Sequence, residues 1–441
     1  MKTLICNTDI FYDGRLQPAE MLFDEHEILE IAPQIDLSKY EAEETGNEAI
    51  VRVDGEGLAL LPGLVDTHVH LRDPGYTEKE TIATGSKAAA AGGFTTIFAM
   101  PNVKPFPSTV EAMEAYLKNI EENAIVHVHP FGTITDNEAG HTPTDYEALK
   151  KLGIVWFSDD GVGVASGDVM KEAMEKAAKA GVLFSCHTED MNYRQPGASV
   201  HAGPYAEKNG WIGIPSACES AQLIRDLHMA EDIPVAYHAD HISAKESVAA
   251  LKAAKEKGVN CSAEVTAHHL LLEDKDVKGT FEKMNPPLRS HEDRMALIEG
   301  LENGSLDFIA NDHAPHTAEE KSRPMDKAPF GIVALETSFP LLYTEFVHNQ
   351  KRWSLKQLLE WMAEKPAARF GLERTGKLAK GCRPDFFLAD LQADTVIDPD
   401  TFQSKGRNTP FAGWPSVVEI KETWVDGKPV YTKRAKTDSE Q

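Results

Sequence analysis

The feature that most constrains the fold is an alternation of short apolar runs with longer helical stretches between residues 61 and 372. The apolar runs contain many β-branched residues, and the stretches between them are rich in alanine and charge with helical periodicity. Eight runs are predicted as strands: Leu64–Leu71, Thr95–Met100, Ile125–Phe131, Ile154–Asp159, Val182–His187, Val235–His241, Asn260–Val265 and Asp307–Asp312. The predicted helices are Ser108–Asn123, Asp168–Ala180, Ala217–Glu231, Ala244–Lys257 and His291–Leu301, with Ser108, Asp168 and Ser290 as N-caps.

Eight strands alternating with helices predict an α/β fold, a (β/α)8 TIM-like barrel over residues 61–372. A doubly wound open sheet is the alternative, but no glycine-rich phosphate-binding turn follows the first strand. Residues 1–60 and 373–441 show the pattern of short strands and turns. Because chain termini often lie close together, these segments are predicted to form one small β-sandwich domain. The stretch 190–215 is too long for a plain connector and is predicted to be an active-site loop.

Composition excludes several classes of function. The chain has 45 Lys and Arg against 70 Asp and Glu, a net charge of −25, which makes nucleic acid and anionic membranes poor partners. Its five cysteines stand singly without a CxxC pair, as in a reducing cytoplasm. There is no signal-peptide run, and no apolar stretch approaches the roughly 20 residues that span a bilayer. The acidic run at residues 41–44 is interpreted as a solvated loop. A cytoplasmic protein is therefore expected.

The stretch Asp66-Thr-His68-Val-His70 closes the first predicted strand. Residues two apart on a strand face the same side, so both imidazoles can reach one metal ion. They also lie at the carboxyl end of the strand, where barrels build their active sites. The spacing alone is a weak signal, since His127-Val-His129 shares it. That second pair lacks the preceding aspartate and is interpreted as strand packing.

Polar residues close four later strands. The candidates for the remaining ligands are Asp160, His187, His241 and Asp312. Imidazole and carboxylate are the ligands of a catalytic zinc ion, which keeps one position open for water. Four such strand ends are hard to explain as core residues, because a buried charge needs a partner. Two neighbours remain alternatives, Asp159 for Asp160 and His238 for His241.

Several longer motifs carry a family resemblance. They are Pro62–Gly75, Met100–Asn102, Ser158–Gly161, Glu264–His269, Met284–Pro287, Asp312–Thr317 and Ala328–Thr337. On these motifs the chain resembles the dihydroorotases of the amidohydrolase superfamily, in the bacterial branch called type I, over essentially its whole length. The resemblance implies two zinc sites joined by one carboxylate. Their ligands would be His68, His70 and Asp312 for the first ion, His187 and His241 for the second, and Asp160 as the bridge.

The bridging ligand distinguishes branches of this superfamily. In hydantoinases and allantoinases it is a carboxylated lysine. No lysine occurs between Gly153 and Met170, which favours the dihydroorotase branch. An aspartate is shorter than a carboxylated lysine, so one or two zinc ions per subunit are expected.

The resemblance implies a cyclic amide hydrolase that reversibly converts N-carbamoyl-L-aspartate to L-dihydroorotate in de novo pyrimidine biosynthesis. Metal-bound hydroxide would attack the ring carbonyl, with Asp312 as general base and then general acid. The implied substrate-binding residues are His70, Arg72, Asn102, Asn285, His316, Phe330 and Gly331. Among them Arg72, Asn102 and His316 would hold the substrate carboxylate, since a guanidinium can grip a carboxylate with two hydrogen bonds.

The sequence leaves two alternative functions. One is the opening of a hydantoin or allantoin ring, which Arg72, Asn102 and the lysine-free fourth strand disfavour. The other is an inactive scaffold for aspartate transcarbamoylase, a partner of some family members, but every predicted ligand position is filled. A homodimer and an association with that transcarbamoylase are left open. His268 and His269 are not assigned as ligands; one is expected to orient a ligand or loop and the other to be structural.

Overall fold

The computed structural model describes residues 2–41 and 50–433. Its first elements are β1 (Thr3–Tyr12), β2 (Arg15–Phe23), β3 (Ile28–Ala32), α1 (Ser38–Glu41), β4 (Val51–Asp54) and β5 (Ala59–Pro62). β1 and β2 form a hairpin because Asp13 and Gly14 both take positive φ, 51° and 76°, as a two-residue turn requires. Of the acidic run predicted to be a solvated loop, residues 42–44 lie outside the described residues.

The middle of the chain supplies short and largely buried strands. They are β6 (Leu64–Val69), β7 (Phe94–Ala99), β8 (His127–Pro130), β9 (Gly132–Thr133), β10 (Trp156–Ser158), β11 (Leu183–Cys186), β12 (Val200–His201), β13 (Gly213–Ile214), β14 (Ala236–Ala239), β15 (Cys261–Thr266) and β16 (Phe308–Ala310). Every residue of β6, β7, β11 and β15 is buried. Strands covered on both faces have this pattern.

Most of these strands pair in parallel and in chain order. β6 pairs with β7 and β7 with β8; β9, which continues β8 after Phe131, pairs with β10. The series then runs through β11, β14, β15 and β16. Just beyond β16, His313 forms a parallel bridge with Val69, and the His70 amide donates to the His313 carbonyl oxygen at 2.9 Å. The last strand thus returns to the first, and the carboxyl ends of the strands meet on one side.

Helices connect most of the strands. They are α2 (Ile82–Ala91), α3 (Val110–Asn123), α4 (Tyr146–Lys150), α5 (Gly167–Ala180), α6 (Pro204–Asn209), α7 (Ala217–Asp232), α8 (Lys245–Glu256), α9 (Ala267–Leu271), α10 (His291–Asn303), α11 (Ala318–Lys321), α12 (Ser338–Leu342), α13 (Leu355–Leu359) and α14 (Lys365–Arg369). Short 3₁₀ turns span Asp136–Glu138, Met191–Tyr193, Asp274–Asp276, Thr280–Glu282 and Pro399–Thr401, and π-helical segments span Tyr343–Asn349 and Glu360–Glu364. In the described ranges, none of the helices combines the length and apolar character that crossing a membrane requires.

The helix starts were only partly predictable. Ser290 caps α10 as predicted. The predicted caps Ser108 and Asp168 are wrong, because Thr109 caps α3 and Ser166 caps α5. In both helices the hydroxyl that accepts from the third helical amide lies one or two residues away from the predicted position.

The end of the chain completes a sheet begun at its start. Its strands are β17 (Phe386–Asp390), β18 (Thr395–Val396), β19 (Pro415–Ser416), β20 (Glu419–Val425) and β21 (Lys428–Thr432). Within the described residues the sheet has eight strands in the order β21-β20-β17-β5-β1-β2-β3, with β4 beside β1. β2 and β20 stand four places apart in this order, yet the rings of Phe23 and Trp424 are 6.0 Å apart. Since neighbouring strands are about 4.8 Å apart, the sheet curls around a shared core.

The terminal sheet continues directly into the parallel strands. Only Gly63 separates β5 from β6, and a Cβ atom there would lie 2.1 Å from Thr95 Oγ1, so a larger residue does not fit without a shift. The predicted insertion at 190–215 follows β11 and contains β12, α6 and β13. The insertion therefore begins at the carboxyl end of a parallel strand and has secondary structure of its own.

Candidate metal centre and active site

The predicted ligands lie at the carboxyl ends of the parallel strands. His68 belongs to β6 and His70 follows it; Asp160, His187, His241 and Asp312 follow β10, β11, β14 and β16. Each of these residues is at most 6% exposed. Because parallel pairing brings the strand ends together, residues far apart in sequence form one buried cluster.

One half of the cluster consists of His68, His70 and Asp312. Asp312 Oδ1 lies 3.1 Å from His70 Nε2 and 3.6 Å from His68 Nε2. Asp160 faces both imidazoles, with Oδ1 3.3 Å from His68 Nε2 and Oδ2 3.3 Å from His70 Nε2. The ligand atoms of His68, His70 and Asp312 lie within 4.8 Å of one another, close enough to bind one ion.

The other half consists of His187 and His241 beside the same carboxylate. Asp160 Oδ1 lies 3.6 Å from His187 Nδ1 and 3.5 Å from His241 Nε2. The two imidazole nitrogens are 2.9 Å apart. Asp160 therefore stands between the two halves, where a bridging ligand would stand.

The donor atoms of the cluster fit a metal ion. His68 Nε2 and Asp160 Oδ1 are buried without a hydrogen-bond partner in the described part of the chain, although buried polar atoms ordinarily have one. Imidazole nitrogen and carboxylate oxygen are common ligands of zinc. A cation at this point would satisfy atoms that the protein leaves unsatisfied.

Burial alone would raise the pKa of both carboxyls in the cluster. At Asp312 the hydrogen bond with His70 and the charges of His68 and His70 outweigh burial and lower the pKa to about 2. At Asp160 the charge of His68 and the contacts with His241 and His70 likewise hold the pKa well below its ordinary value. Both groups are therefore carboxylates at neutral pH, the form that binds a metal ion.

Three residues of the site hold backbone angles that L-residues rarely adopt. The angle φ is 34° at His241, 47° at Asp312 and 59° at Arg72. Strained residues of this kind persist only where the surrounding structure holds them, and they cluster at functional sites. The turn after β16 is held by His313, whose Nδ1 accepts from the Ala334 amide at 3.1 Å.

Glu264 contacts a predicted ligand, His68, but is not itself in the predicted ligand set. The sequence alone does not assign it a role. It is fully buried in β15, with Oε1 2.9 Å from His68 Nδ1 and Oε2 3.1 Å from His238 Nε2. Burial favours the neutral carboxyl, but the hydrogen bonds with His238 and His68 outweigh it and lower the pKa of Glu264. The available signal was a single charged residue in the otherwise uncharged strand Cys261–Thr266.

The contacts distinguish the residues that the sequence left as alternatives. Both ring nitrogens of His238 are engaged, Nδ1 with a serine hydroxyl at 2.7 Å and Nε2 with Glu264. Asp159 accepts from a threonine amide at 3.0 Å. His241 and Asp160 instead face the cluster, so the geometry favours them as ligands.

A cavity of about 260 Å³ opens onto the cluster. It is lined by His70, Arg72, Asn102, Asp160, Gly161, His187, Glu189, Arg194, His241, Asn285, Asp312, Ala314, His316, Phe330 and Gly331. Every predicted substrate-binding residue is in this lining. A larger cavity of about 710 Å³ lies at the terminal sheet and is lined by other residues, from Asp54 to Lys433.

Polar contacts order one wall of the cavity. Arg72 Nη2 lies 3.3 Å from His316 Nε2, and that nitrogen lies 2.8 Å from the Phe330 carbonyl oxygen. His70 Nδ1 is 2.9 Å from Asn102 Oδ1. Burial and the charge of Arg72 lower the pKa of His316 to about 3. His316 is therefore a neutral hydrogen-bonding group, and Arg72 supplies the positive charge of this wall.

Two lining residues have no counterpart in the sequence prediction. Glu189 lies two residues after His187; burial would raise its pKa, but contact with His187 and the charge of Arg194 lower it to about 2. Arg194 comes from the insertion 190–215, so that segment does reach the cavity. The available signal for Glu189 was its position, since it follows a ligand at the same offset as Arg72 follows His70.

The second HxH pair lies at the other end of its strand. His127 begins β8, and its Nε2 is 3.1 Å from Asp385 Oδ2. The ring of His129 is centred 4.9 Å from that of Phe98. Burial, with the charges of His127 and Arg383, lowers the pKa of His129 to about 4. Both residues make the packing contacts that the sequence interpretation expects.

His268 and His269 also differ in their contacts. His269 lies 2.7 Å from Thr266 Oγ1 through Nδ1 and 3.0 Å from the Pro286 carbonyl oxygen through Nε2. It therefore orients the segment that carries Asn285. His268 is fully buried, and neither of its nitrogens has a hydrogen-bond partner among the described residues.

Four histidines and two aspartates, buried at the carboxyl ends of parallel strands beside a small polar cavity, form the arrangement expected of a metal-dependent hydrolase. The family described as Dihydro-orotase-like matches residues 57–247. The chain is 52% identical to the dihydroorotase of Bacillus licheniformis over 386 residues, 86% of this chain and 88% of the relative. It is 48% identical to that of Halalkalibacterium halodurans over 437 residues, 98% of this chain and 99% of the relative. The chain belongs to the dihydroorotase family and is a cyclic amide hydrolase.

Solved structures agree with this assignment at the level of the fold. The L-hydantoinase (dihydropyrimidinase) of Arthrobacter aurescens has a TM-score of 0.85 at 26% identity, covering 98% of this chain and 96% of that one. The dihydropyrimidinase of Brevibacillus agri has a TM-score of 0.82 at 22% identity, covering 98% and 95%. The family and the α/β fold class predicted from the sequence are therefore confirmed.

Proposed function

We propose that this protein is a dihydroorotase that reversibly converts N-carbamoyl-L-aspartate to L-dihydroorotate, a step of de novo pyrimidine biosynthesis. The observation that carries the proposal is that Arg72 and five of the six predicted metal ligands line one cavity of about 260 Å³. A cyclic amide that bears a carboxylate needs a cation for the carboxylate and a centre that activates the amide carbonyl. This cavity offers both.

One or two zinc ions per subunit belong to the proposal. The first ion would be held by His68, His70, Asp160 and Asp312, and the second by Asp160, His187 and His241. Bound zinc lowers the pKa of a coordinated water toward about 7 and polarises a carbonyl oxygen. The second set has fewer protein ligands than the first, which is why either stoichiometry is compatible with the proposal.

Asp312 would hold the proton that the reaction moves. Its Oδ1 lies 3.1 Å from His70 Nε2, and the side chain lines the cavity. The group is ionised at neutral pH, the form required of a base. In ring opening the carboxylate would take a proton from the nucleophile and deliver it to the departing ring nitrogen, and in ring closure the order reverses.

Arg72 would bind the substrate carboxylate, with Asn102 and His316 beside it. Burial lowers the pKa of Arg72, but an arginine begins so far above neutral that it stays charged. The cation is desolvated in the cavity wall, so a carboxylate placed against it binds more strongly than in water. The remaining substrate contacts would be His70, Asn285, Phe330 and Gly331.

For the architecture we propose a (β/α)8 barrel over residues 61–372 and a small β-sandwich domain from residues 1–60 and 373–441. The ring of parallel strands that returns from β16 to β6 supports the barrel. The contact between Phe23 and Trp424 supports two facing layers in the small domain.

A hydantoin or allantoin is the second candidate substrate, favoured by the fold match to L-hydantoinase. Relatives named dihydroorotase at about half identity, together with the aspartate in the bridging position, favour the first candidate. An inactive scaffold is disfavoured because all six predicted ligand positions are filled.

A homodimer, an association with aspartate transcarbamoylase and a cytoplasmic location complete the proposal. The five cysteines are free thiols, which suits a reducing compartment. Light scattering of the purified protein, alone and mixed with the transcarbamoylase, tests the two assemblies.

The function is tested with zinc-reconstituted protein by following the ultraviolet absorbance of dihydroorotate in both directions. We expect turnover in both, and a kcat lower by about 10²–10⁴-fold in Asp312→Asn. Asp136→Asn, which changes an exposed aspartate, is the matched control and should retain the parental kcat. Turnover of hydantoin without turnover of dihydroorotate would overturn the substrate assignment.

A further inference from the structure

Glu189 connects three parts of the site. It lies in the turn after β11 and is only 7% exposed. Its Oε2 is 3.2 Å from His187 Nε2 and accepts from Asn285 Nδ2 at 3.2 Å. Its Oε1 accepts from the Arg194 guanidinium. One carboxylate therefore contacts a predicted metal ligand, a predicted substrate contact and the insertion 190–215.

We propose that Glu189 is a positioning residue that selects the nitrogen His187 offers to the metal and fixes the amide of Asn285 at the substrate. The part concerning Asn285 rests on the proposed function, while the part concerning His187 requires only that the cluster binds a metal ion.

Imidazole chemistry determines which nitrogen of His187 can bind a metal ion. A neutral imidazole carries its proton on one nitrogen and a lone pair on the other. A carboxylate only accepts hydrogen bonds, so Glu189 holds the proton of His187 on Nε2. The lone pair is then on Nδ1, the nitrogen that lies 3.6 Å from Asp160 Oδ1 and 2.9 Å from His241 Nε2. A carboxylate behind a metal-binding histidine orients the ring in the same way elsewhere.

Glu189 also sets the orientation of the Asn285 amide. An amide side chain can present either its nitrogen or its oxygen to a ligand, and the two are nearly identical in shape. Glu189 accepts only from the nitrogen, so it determines how the amide of Asn285 stands at the cavity. The same oxygen, Oε2, contacts both His187 and Asn285. One atom of Glu189 therefore connects a predicted metal ligand to a predicted substrate-binding residue.

Arg194 stabilises the negative charge of the buried Glu189 carboxylate. Its guanidinium pairs with Oε1 and lies 4.7 Å from the ring centre of Phe330, another lining residue. A buried carboxylate without such a partner would be costly. The insertion 190–215 thus contributes the cation that stabilises Glu189.

The test compares Glu189→Gln with Asp190→Asn. The two changes remove the same charge from adjacent residues. Within the described residues, however, the Asp190 carboxylate accepts only from the backbone amide and the side chain of Asn192, and Asp190 is outside the cavity lining. Zinc affinity is measured on metal-free protein by chelator competition, and the cobalt(II) absorption spectrum reports the ligand field. Circular dichroism confirms that each variant is folded.

We expect Glu189→Gln to bind one equivalent of zinc about 10–100-fold more weakly, with a changed cobalt spectrum and a raised KM for dihydroorotate. Asn285→Ala should raise KM alone, and Asp190→Asn should change neither quantity. Parental zinc affinity and cobalt spectrum in Glu189→Gln would overturn the proposal. If that variant does not fold, Glu189→Asp, which keeps the charge but shortens the reach, is measured by the same criteria. If the parent enzyme binds zinc but does not turn over dihydroorotate, the proposed function is wrong. The effect of Glu189→Gln on zinc affinity would still test the part of the proposal that concerns His187.

Discussion

The pairs His68/His70 and His127/His129 share one spacing and have different surroundings. In the first pair both Nε2 atoms lie 3.3 Å from an oxygen of Asp160. In the second pair His127 contacts a buried aspartate of the terminal sheet, while His129 packs against Phe98. The first pair ends its strand and the second begins one.

This difference indicates that the position on the strand, more than the spacing, distinguishes the candidate metal site. Parallel strands bring all their carboxyl ends to one side, where the six candidate ligands cluster and five of them line a cavity. At the start of β8 the same residue type contacts Asp385, next to the terminal sheet, or packs against an aromatic ring. Four predictions test the contrast.

The largest expected effect separates the two pairs by activity. His70→Ala should lower kcat/KM by about 10³-fold or more, because the change removes a predicted metal ligand and the neighbour of Asp312. His129→Ala should keep kcat/KM near the parental value. Steady-state kinetics with dihydroorotate measures both. Equal losses of kcat/KM in the two variants would show that the two histidine pairs do not differ in function.

A smaller effect separates His241 from His238, which lies three residues earlier. His241→Ala should weaken the binding of one zinc equivalent by about 100-fold or more, because loss of a direct ligand costs at least as much as loss of a residue that orients one. His238→Ala should weaken it less, since His238 acts through Glu264. Zinc content after dialysis against a graded chelator measures both. If only His238→Ala loses metal, the ligand assignment is wrong.

The third prediction concerns stability in acid. In the folded protein the pKa of His129 is about 4, against about 6.5 in an unfolded chain. Between these values the unfolded chain binds a proton that the folded protein does not, so the free energy of unfolding falls as the pH falls. His129→Phe should remove this loss and gain about 2 kcal/mol relative to the parent between pH 7 and pH 4.5.

Urea unfolding at the two pH values measures the change. His26→Gln, which replaces an exposed histidine, is the control and should follow the pH dependence of the parent. A His129→Phe variant that loses as much stability in acid as the parent would contradict the prediction.

The smallest effect belongs to His127. His127→Ala removes the contact between Nε2 and Asp385 Oδ2 at 3.1 Å and should cost about 1 kcal/mol of stability. Activity should be unchanged. A double-mutant cycle with Asp385→Ala isolates the interaction, and a coupling energy near zero would show that the contact carries no stability.

Much of this architecture can be predicted from the sequence because strands and candidate ligands are indicated by residues close together in the chain. An apolar run that ends in histidine or aspartate marks both a strand and a candidate ligand, and Asp160, His187, His241 and Asp312 were found in that way. The bounds of the strands were less accessible. The predicted strands Val235–His241 and Asp307–Asp312 each end two residues after β14 and β16 end. The backbone takes positive φ at His241 and Asp312, and no glycine stands at either position to indicate this in the sequence.

The residues that support the ligands were missed for a different reason. Glu264 and Glu189 act on histidines whose identity is known only after the strands are paired and in register. A single glutamate in a strand or turn does not show which side chain it faces. Contacts of this kind depend on tertiary structure, so the sequence indicates candidate ligands more readily than the residues that orient them.

The position of β5 has a consequence for how the chain is made. β5 runs into the first parallel strand through Gly63, and it pairs with β1 on one edge and with β17 on the other. A chain still on the ribosome can form the first pairing early, but the second edge stays open until residue 390 has been synthesised. Partial sheets with open edges are prone to aggregation. Loss of β17, β20 and β21 would therefore damage the sheet that β1 begins, because these strands are synthesised last and join it last.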